Sequence, residues 1–278
     1  MMDRIVTHVL PAEYVVDDGD MRLLRALPHE RQISVGPFVF LDHYRHQGQR
    51  GIGDRPHPHA GIEVVSYLLE GGVEHRDSMG SHDRLVAGDA QFIRAGRGMI
   101  HAEQPLSGRH GLQLWASLPP ELKLVEPSYT SIRAPDIPCV DGEGSRLSVI
   151  AGAVNGVHGP MALSGGAVFA RLQLQPDAVG TLVVDPSVEL GLYVLQGQVE
   201  VGEVCLSTGE LGVLGDGAQI RITAHGIETT ELALVGGRPV QGDVLFSGPF
   251  VMDTPERLAQ AKRDFTAGRM GRLEGVPY

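Results

Sequence analysis

Short apolar runs, each closed within a few residues by glycine, proline or a polar cluster, set the pattern of this chain. Phe38-Val39-Phe40-Leu41, Glu63 to Leu69, Ala90 to Ile93, Leu112 to Leu118, Val168 to Leu174, Gly191 to Leu195, Gln219 to Thr223 and Thr230 to Val235 each read as a strand. Between them, 37 glycines and 18 prolines supply the turns. Many short strands with turn signals and almost no helical period predict barrels or sandwiches rather than βαβ units. One helix stands out near the end. Thr254 suits the N-cap and Pro255 the first helical position, Leu258, Ala261 and Phe265 share a face, and Gly268 stops the run.

The pattern repeats. Ser66-Tyr67-Leu68-Leu69-Glu70-Gly71-Gly72-Val73-Glu74 lines up with Leu192-Tyr193-Val194-Leu195-Gln196-Gly197-Gln198-Val199-Glu200, and Gly88-Asp89-Ala90-Gln91-Phe92-Ile93 with Gly209-Glu210-Leu211-Gly212-Val213-Leu214. Each copy is a strand, a Gly turn, a strand, and then a Gly-acid turn into another strand, so the chain reads as a duplicated β-barrel. The stretch Pro119 to Asp141, with five prolines, reads as the connection. The expected domains are 1–134 and 135–278, the second ending in the helix.

Two residue pairs carry candidate chemistry. His57-Pro58-His59 places two imidazoles on one strand face about 6.6 Å apart, and Pro58 confines that strand to a start or an edge. His101-Ala102-Glu103 is a second same-face pair. Three imidazoles and a carboxylate suit a divalent first-row metal. Each pair alone is weak in a chain with twelve histidines. The duplication acts as a control, because at the matching positions of the second half the sequence reads Val183, Asp185, Ile222 and Ala224. The ligand set is therefore not demanded by the scaffold.

Net charge is −11, with no cluster of basic residues, which disfavours direct binding of nucleic acid. No apolar stretch approaches a membrane span. The run from Met1 to His8 lacks the basic start and apolar core of a signal peptide, so a cytoplasmic chain is expected. Cys139 and Cys205 are read as reduced, buried thiols.

These residues resemble the cupin superfamily and, within it, the pirin family. The runs Gly36 to His43, Arg55 to Gly61, His75 to Gly80, Ala95 to Glu103 and Leu114-Trp115 look like the pirin N-terminal domain almost block for block, from Arg22 to Leu118. The second half matches mainly by architecture and by Asp253-Thr254-Pro255-Glu256. The resemblance implies an all-β bicupin: two consecutive jelly-roll cupin barrels and a short C-terminal helix. It also implies one divalent ion on His57, His59, His101 and Glu103, Fe(II) by family habit, with Ni, Mn, Cu or Zn as alternatives. In generic cupins a glutamate of the first motif ligates, whereas in pirins the second supplies it, which leaves Glu63 off the metal. Arg94 departs from the proline of the general cupin motif, as does the polar run His82-Asp83-Arg84.

Of the remaining residues, His43 and His75 are candidates to orient ligands from behind. His75 is read first as part of a hairpin-end network. Phe40, Phe92, Met99 and Trp115 are candidates to line a pocket, although such residues in strands are usually core. His8, His29, His46, His110, His158 and His225 are read as surface residues. The leading function that the resemblance implies is quercetinase-like cleavage of a flavonol, or another enolisable planar aromatic, by O₂ with loss of carbon monoxide. Glu103 would act there as both ligand and proton acceptor. The alternative is a non-enzymatic, metal-dependent module that regulates a protein partner.

Overall fold

The computed structural model describes residues 2–273. The chain divides into two compact units, and the predicted boundary at 134/135 is only part of the division. One unit takes Tyr14–Leu23, Val39–Ala134 and Gln241–Tyr278; the other takes Met1–Glu13, Leu24–Phe38 and Pro135–Val240. Beside the expected domains of 1–134 and 135–278, each unit takes in a segment from the far end of the chain. Val6–Pro11 pairs antiparallel with Glu210–Leu214 and so adds an edge strand to the second half's sheet. Just before it, the buried Arg4 donates to the carbonyls of Asp185, Val188, Gly215 and Gly217, which satisfies its guanidinium. Phe250–Met252 instead closes on the first half through an Ala60–Phe250 bridge.

The predicted strands all form, and the expected β-rich architecture holds. The strand paths have free ends, however, so neither unit is a closed barrel. The first unit's sheet runs Ser128–Ile132, Ala90–Arg94, Ile62–Asp77, Met99–Ser117, Phe38–His46, Met21–Leu27, Glu13–Asp17. His57–His59 hangs on Met99–Ser117, and His82–Val86 on Ile62–Asp77. The Pro-rich connection is not wholly irregular, since Ser128–Ile132 within it edges this sheet. The spine is the long hairpin of Ile62–Asp77 and Met99–Ser117, registered from Ile62 opposite Ser117 to Asp77 opposite His101. Irregularities beside Leu68/Glu70 and Gly71/Val73 interrupt it, and such bulges let long strands bend.

The second unit has a seven-stranded sheet and a four-stranded one. Leu172, Leu192 and Leu234 from the first meet Leu182, Val199 and Ile220 from the second in one apolar core. The helix Pro255–Thr266 starts where predicted, with the Thr254 hydroxyl accepting from the Arg257 N–H. It buries Ala261 and part of Leu258, while Phe265 stays largely exposed. No helix among the described residues is long and apolar enough to cross a membrane. Both cysteines are free and exposed, contrary to expectation, because each lies on an edge strand, Cys139–Gly142 or Val204–Ser207.

Candidate metal centre

Pairing register decides which side chains meet. His57–His59 is a three-residue strand that, among the described residues, pairs only with Met99–Ser117, with His57 opposite His101 and His59 opposite Met99. On the other side of that strand, His75 lies opposite Glu103 and Asp77 opposite His101. Directly opposed residues, and residues two apart, share a face. His57, His59, His101, Glu103 and His75 therefore converge.

Gly61 anchors the short strand. It sits at φ +76°, and a Cβ there would collide with the Val251 carbonyl oxygen. That carbonyl and the Gly61 carbonyl both accept from the buried Lys123 ammonium, at 3.0 and 2.8 Å, and the Ser117 hydroxyl accepts from it too.

The ring centroids of His57, His59 and His101 are 4.3 to 5.0 Å apart. Their donor atoms all lie within 4.8 Å of one another. His57 Nδ1–H donates to the Arg55 carbonyl at 2.8 Å, and His59 Nδ1–H to that of Pro249 at 3.3 Å. A carbonyl can only accept, so both rings keep their proton on Nδ1 and present a bare Nε2. His59 Nε2 and both nitrogens of His101 are buried without a partner among the described residues. Burial lowers the pKa of all three rings, and neighbouring imidazoles push His59 and His101 lower still. They stay neutral at pH 7, the form that binds metal.

Glu103 is buried and richly bonded. Its Oε2 accepts from Arg109 Nη1 at 2.8 Å, and its Oε1 accepts from the Gln91 amide and, at 3.5 Å, from the Ser66 hydroxyl. Burial alone would raise its pKa. The Arg109 guanidinium and the nearby imidazoles more than offset this, so the group is held below the usual range as a carboxylate. Its oxygens group with His101 and His75 rather than with all three histidines above. His75 is fully buried, with Nε2 3.3 Å from Asp77 Oδ2 and its ring stacked on Tyr129 at 4.2 Å. The hairpin-end reading fits Asp77, whose Oδ1 accepts from the N–H groups of Met79 and Ser81. His75 itself belongs to the cluster.

Other candidates divide. Phe40 stacks on Trp115 at 3.9 Å and 9°, and the edge of Trp115 meets the His59 ring at 5.0 Å. Met99 is wholly buried in that core, whereas Arg94 lies over Phe92 at 5.5 Å. Glu63 is paired with Arg94 at 2.9 Å, the residue that departs from the cupin motif. His43 is placed elsewhere, its Nε2 2.7 Å from that of His110, which reaches Glu70 at 3.2 Å. Two surface readings are thereby corrected. His110 is half-buried in that pairing, and His46 is buried beside Arg109, where its Nδ1 accepts from Nε–H at 3.4 Å. Arg45, His46, Glu70, Arg109 and His110 line a polar cavity of about 370 Å³. Arg109 and Gln91 are the site residues that the sequence reading missed.

The second unit's counterparts also shift. Val73 faces Pro105 and Glu74 faces Gln104, as Val199 faces Ala224 and Glu200 faces Thr223. Carried along these strands, His101 matches Ile220 and Glu103 matches Ile222. Leu182 faces Ile220 as His57 faces His101, so Leu182 and Val184 stand for His57 and His59. Val183 and Asp185 are instead exposed neighbours.

The pirin family model matches residues 20–116, and the model of the pirin C-terminal cupin domain matches 169–271. A pirin-like protein of Caulobacter vibrioides is 35% identical over 276 residues, covering 96% of this chain and 99% of its own length. The chain belongs to the pirin family. Human pirin is 32% identical over 257 residues, covering 90% of this chain and 88% of the human protein. Among solved structures, a quercetin 2,3-dioxygenase from Acinetobacter baumannii superposes with a TM-score of 0.88 at 27% identity, covering 97% of this chain and 99% of that one. The two-cupin, mostly β architecture expected for a pirin is thus in place, with a His/Glu cluster compatible with a metal site in its first cupin.

Proposed function

We propose that this pirin-family chain is a mononuclear-metal dioxygenase of quercetinase type, with His57, His59, His101 and Glu103 holding the ion. One observation carries the reading. Three neutral imidazoles converge, His59 and His101 buried and His57 half-buried, two of them have the remote nitrogen tied to a carbonyl, and unpartnered ring nitrogens remain inside the cluster. Buried polar atoms are seldom left unpaired, and remote-nitrogen bonding is the arrangement that orients ligating histidines. The donor chemistry fits a divalent first-row ion, with Fe(II) the family expectation and Ni, Mn, Cu or Zn as alternatives.

When bound, the ion supplies Lewis acidity that lowers the pKa of an enolic hydroxyl. The chain's own groups do the rest. The Phe40–Trp115 stack beside His59 forms an apolar wall suited to a small planar aromatic. Arg109 clamps Oε2 of Glu103, so Oε1, held only by neutral donors, is the atom that takes the substrate proton. A carboxylate kept below its usual range is a modest base, so this transfer depends on the substrate hydroxyl being acidified first. The likeness to a quercetin 2,3-dioxygenase supports a flavonol and O₂ as the reacting pair.

The test loads metal-stripped protein separately with Fe(II), Mn(II), Ni(II) and Cu(II), and follows flavonol absorbance and oxygen uptake. The loaded protein should consume oxygen with the flavonol, and Glu103→Gln at equal metal content should turn over about 10²–10⁴-fold more slowly. No uptake with any ion or flavonol would overturn the enzyme reading and leave metal-dependent partner binding in its place.

A further inference from the structure

His101 differs from the other imidazoles. His57 and His59 each commit one nitrogen to a carbonyl, but both nitrogens of His101 are buried and unpartnered among the described residues. Its Nδ1 lies 3.7 Å from Glu103 Oε1. Across the hairpin, His75 repeats the build of His57 and His59. Its Nε2 meets Asp77 Oδ2, and its Nδ1 is buried without a partner. Asp77 is fixed in turn by two backbone N–H groups. A carboxylate on the remote nitrogen sets the tautomer and makes the free nitrogen a better donor. The donor atoms of His75, His101 and Glu103 lie within 4.8 Å of one another, as do those of His57, His59 and His101. Five residues therefore make two sets of three that share His101.

We propose that His75, His101 and Glu103 form a second metal position, overlapping the first, that accepts a divalent first-row cation when the three-histidine position does not hold it. The inference rests on the metal-centre reading above. Two nitrogens and a carboxylate are a sound donor set for such an ion. The two positions alternate rather than fill together. Simultaneous occupation would need His101 as a bridging imidazolate, and two dications would share one carboxylate already paired with Arg109. His57 sits on a three-residue edge strand and is only half-buried, whereas His75 and His101 are wholly buried. The second position holds the ion inside the chain when the edge strand lets go.

Co(II) alone is the probe, added to the metal-stripped full chain and followed by its visible absorption and by equilibrium dialysis. The wild type should bind one equivalent. His57→Ala/His59→Ala should still bind one, more weakly and with an altered spectrum. Adding His75→Ala or His75→Gln should weaken that residual binding by at least about 10-fold, and adding Asp77→Asn by roughly 10–100-fold. The asparagine amide donates to Nε2 and drives the His75 proton onto Nδ1, blocking the donor. A double variant with an intact β-sheet circular dichroism signal that binds no Co(II) would overturn the second position. Residual binding indifferent to both His75 substitutions would overturn it equally. Wild type that binds no Co(II) would remove the metal centre itself, a different result from either.

Discussion

Replacing Glu103 by Gln neutralises one partner of a buried ion pair and leaves the other in place. The Arg109 and Glu103 side chains are 1% and 2% exposed, and Nη1 is 2.8 Å from Oε2. Removing one member of such a pair typically costs about 3–5 kcal/mol, because the remaining charge has lost both water and its counter-ion. Arg109 keeps its bonds to the Ile52 carbonyl and to His46, and glutamine still offers an oxygen, so the lower end of about 3 kcal/mol is expected. In a unit of this size 1 kcal/mol moves the melting midpoint by roughly 2–4 °C, so Glu103→Gln should melt about 6–12 °C lower. Arg109→Met should cost a similar amount by stranding the carboxylate. The double variant buries no unpaired charge and should cost about 2 kcal/mol less than the two singles added together. Thermal unfolding by circular dichroism, with chelator present so that metal binding does not contribute, reads all four proteins. A Glu103→Gln midpoint within about 1 °C of wild type, or strictly additive singles, would refute the argument. The catalytic comparison of Glu103→Gln must then be made well below its lowered midpoint.

Metal-stripped protein should lose stability between pH 7 and pH 5. Burial, aided by His110 and Arg45, lowers His43 to about 3, and burial, aided by Arg109, lowers His46 to about 4. Below about 6.5 the unfolded chain takes up protons that the folded chain refuses. The stability is therefore complete above that pH and falls by about 2 kcal/mol per ring by pH 5, and an unchanged urea midpoint would contradict this. Lys123→Met should cost about 1–3 kcal/mol in urea unfolding, since it strands the Val251 carbonyl and leaves the Gly61 carbonyl only the Leu118 N–H, and wild-type stability would show the Val251 oxygen satisfied another way. Gly61→Ala should weaken Co(II) binding by at least about 10-fold through displacement of the His57–His59 strand, as loss of supporting contacts does. Unaltered affinity in dialysis would mean that the strand is not anchored there. Elemental analysis should find one metal per chain, because the second unit's counterparts Leu182, Val184, Ile220 and Ile222 are all buried aliphatics, and two equivalents would refute it.

Much of this fold was legible because its signals are local. Alternating apolar runs bounded by glycine mark strands wherever they occur, and Thr254-Pro255 marks a helix start whatever it packs on. The exchange of end segments was not legible. Nothing in Val6–Pro11 distinguishes a strand that completes its own half from one that completes the other. At the site, the pairs His57/His59 and His101/Glu103 announce themselves by period-two spacing within one strand. His75 reaches the cluster only through cross-strand pairing. Arg109 lies beyond the irregularity at Gly71/Val73, where alternation resets and a sequence pattern no longer says which way a side chain faces. Buried histidines such as His46 look like surface residues in sequence because the groups that shelter them are distant in the chain.

The duplicated half shows how much one residue of register matters. Aligning by glycine turns placed Val183 and Asp185 opposite the first histidine pair, one position out. In a strand that error moves every side chain to the opposite face. The first pair was thereby set against the outward-facing Val183 and Asp185, whereas His101 and Glu103, two positions out, were still set against the inward-facing Ile222 and Ala224. With the register corrected by pairing, all four inward counterparts are aliphatic and belong to one core. Apolar residues are what this interior holds when no metal has to be bound. Filling the same positions with three imidazoles and a carboxylate gives up that apolar packing and buries polar atoms, some of them unpartnered in the first unit. Such a substitution destabilises a fold unless something binds there. The cluster therefore argues for a ligand by contrast with its own duplicate, independently of any relative.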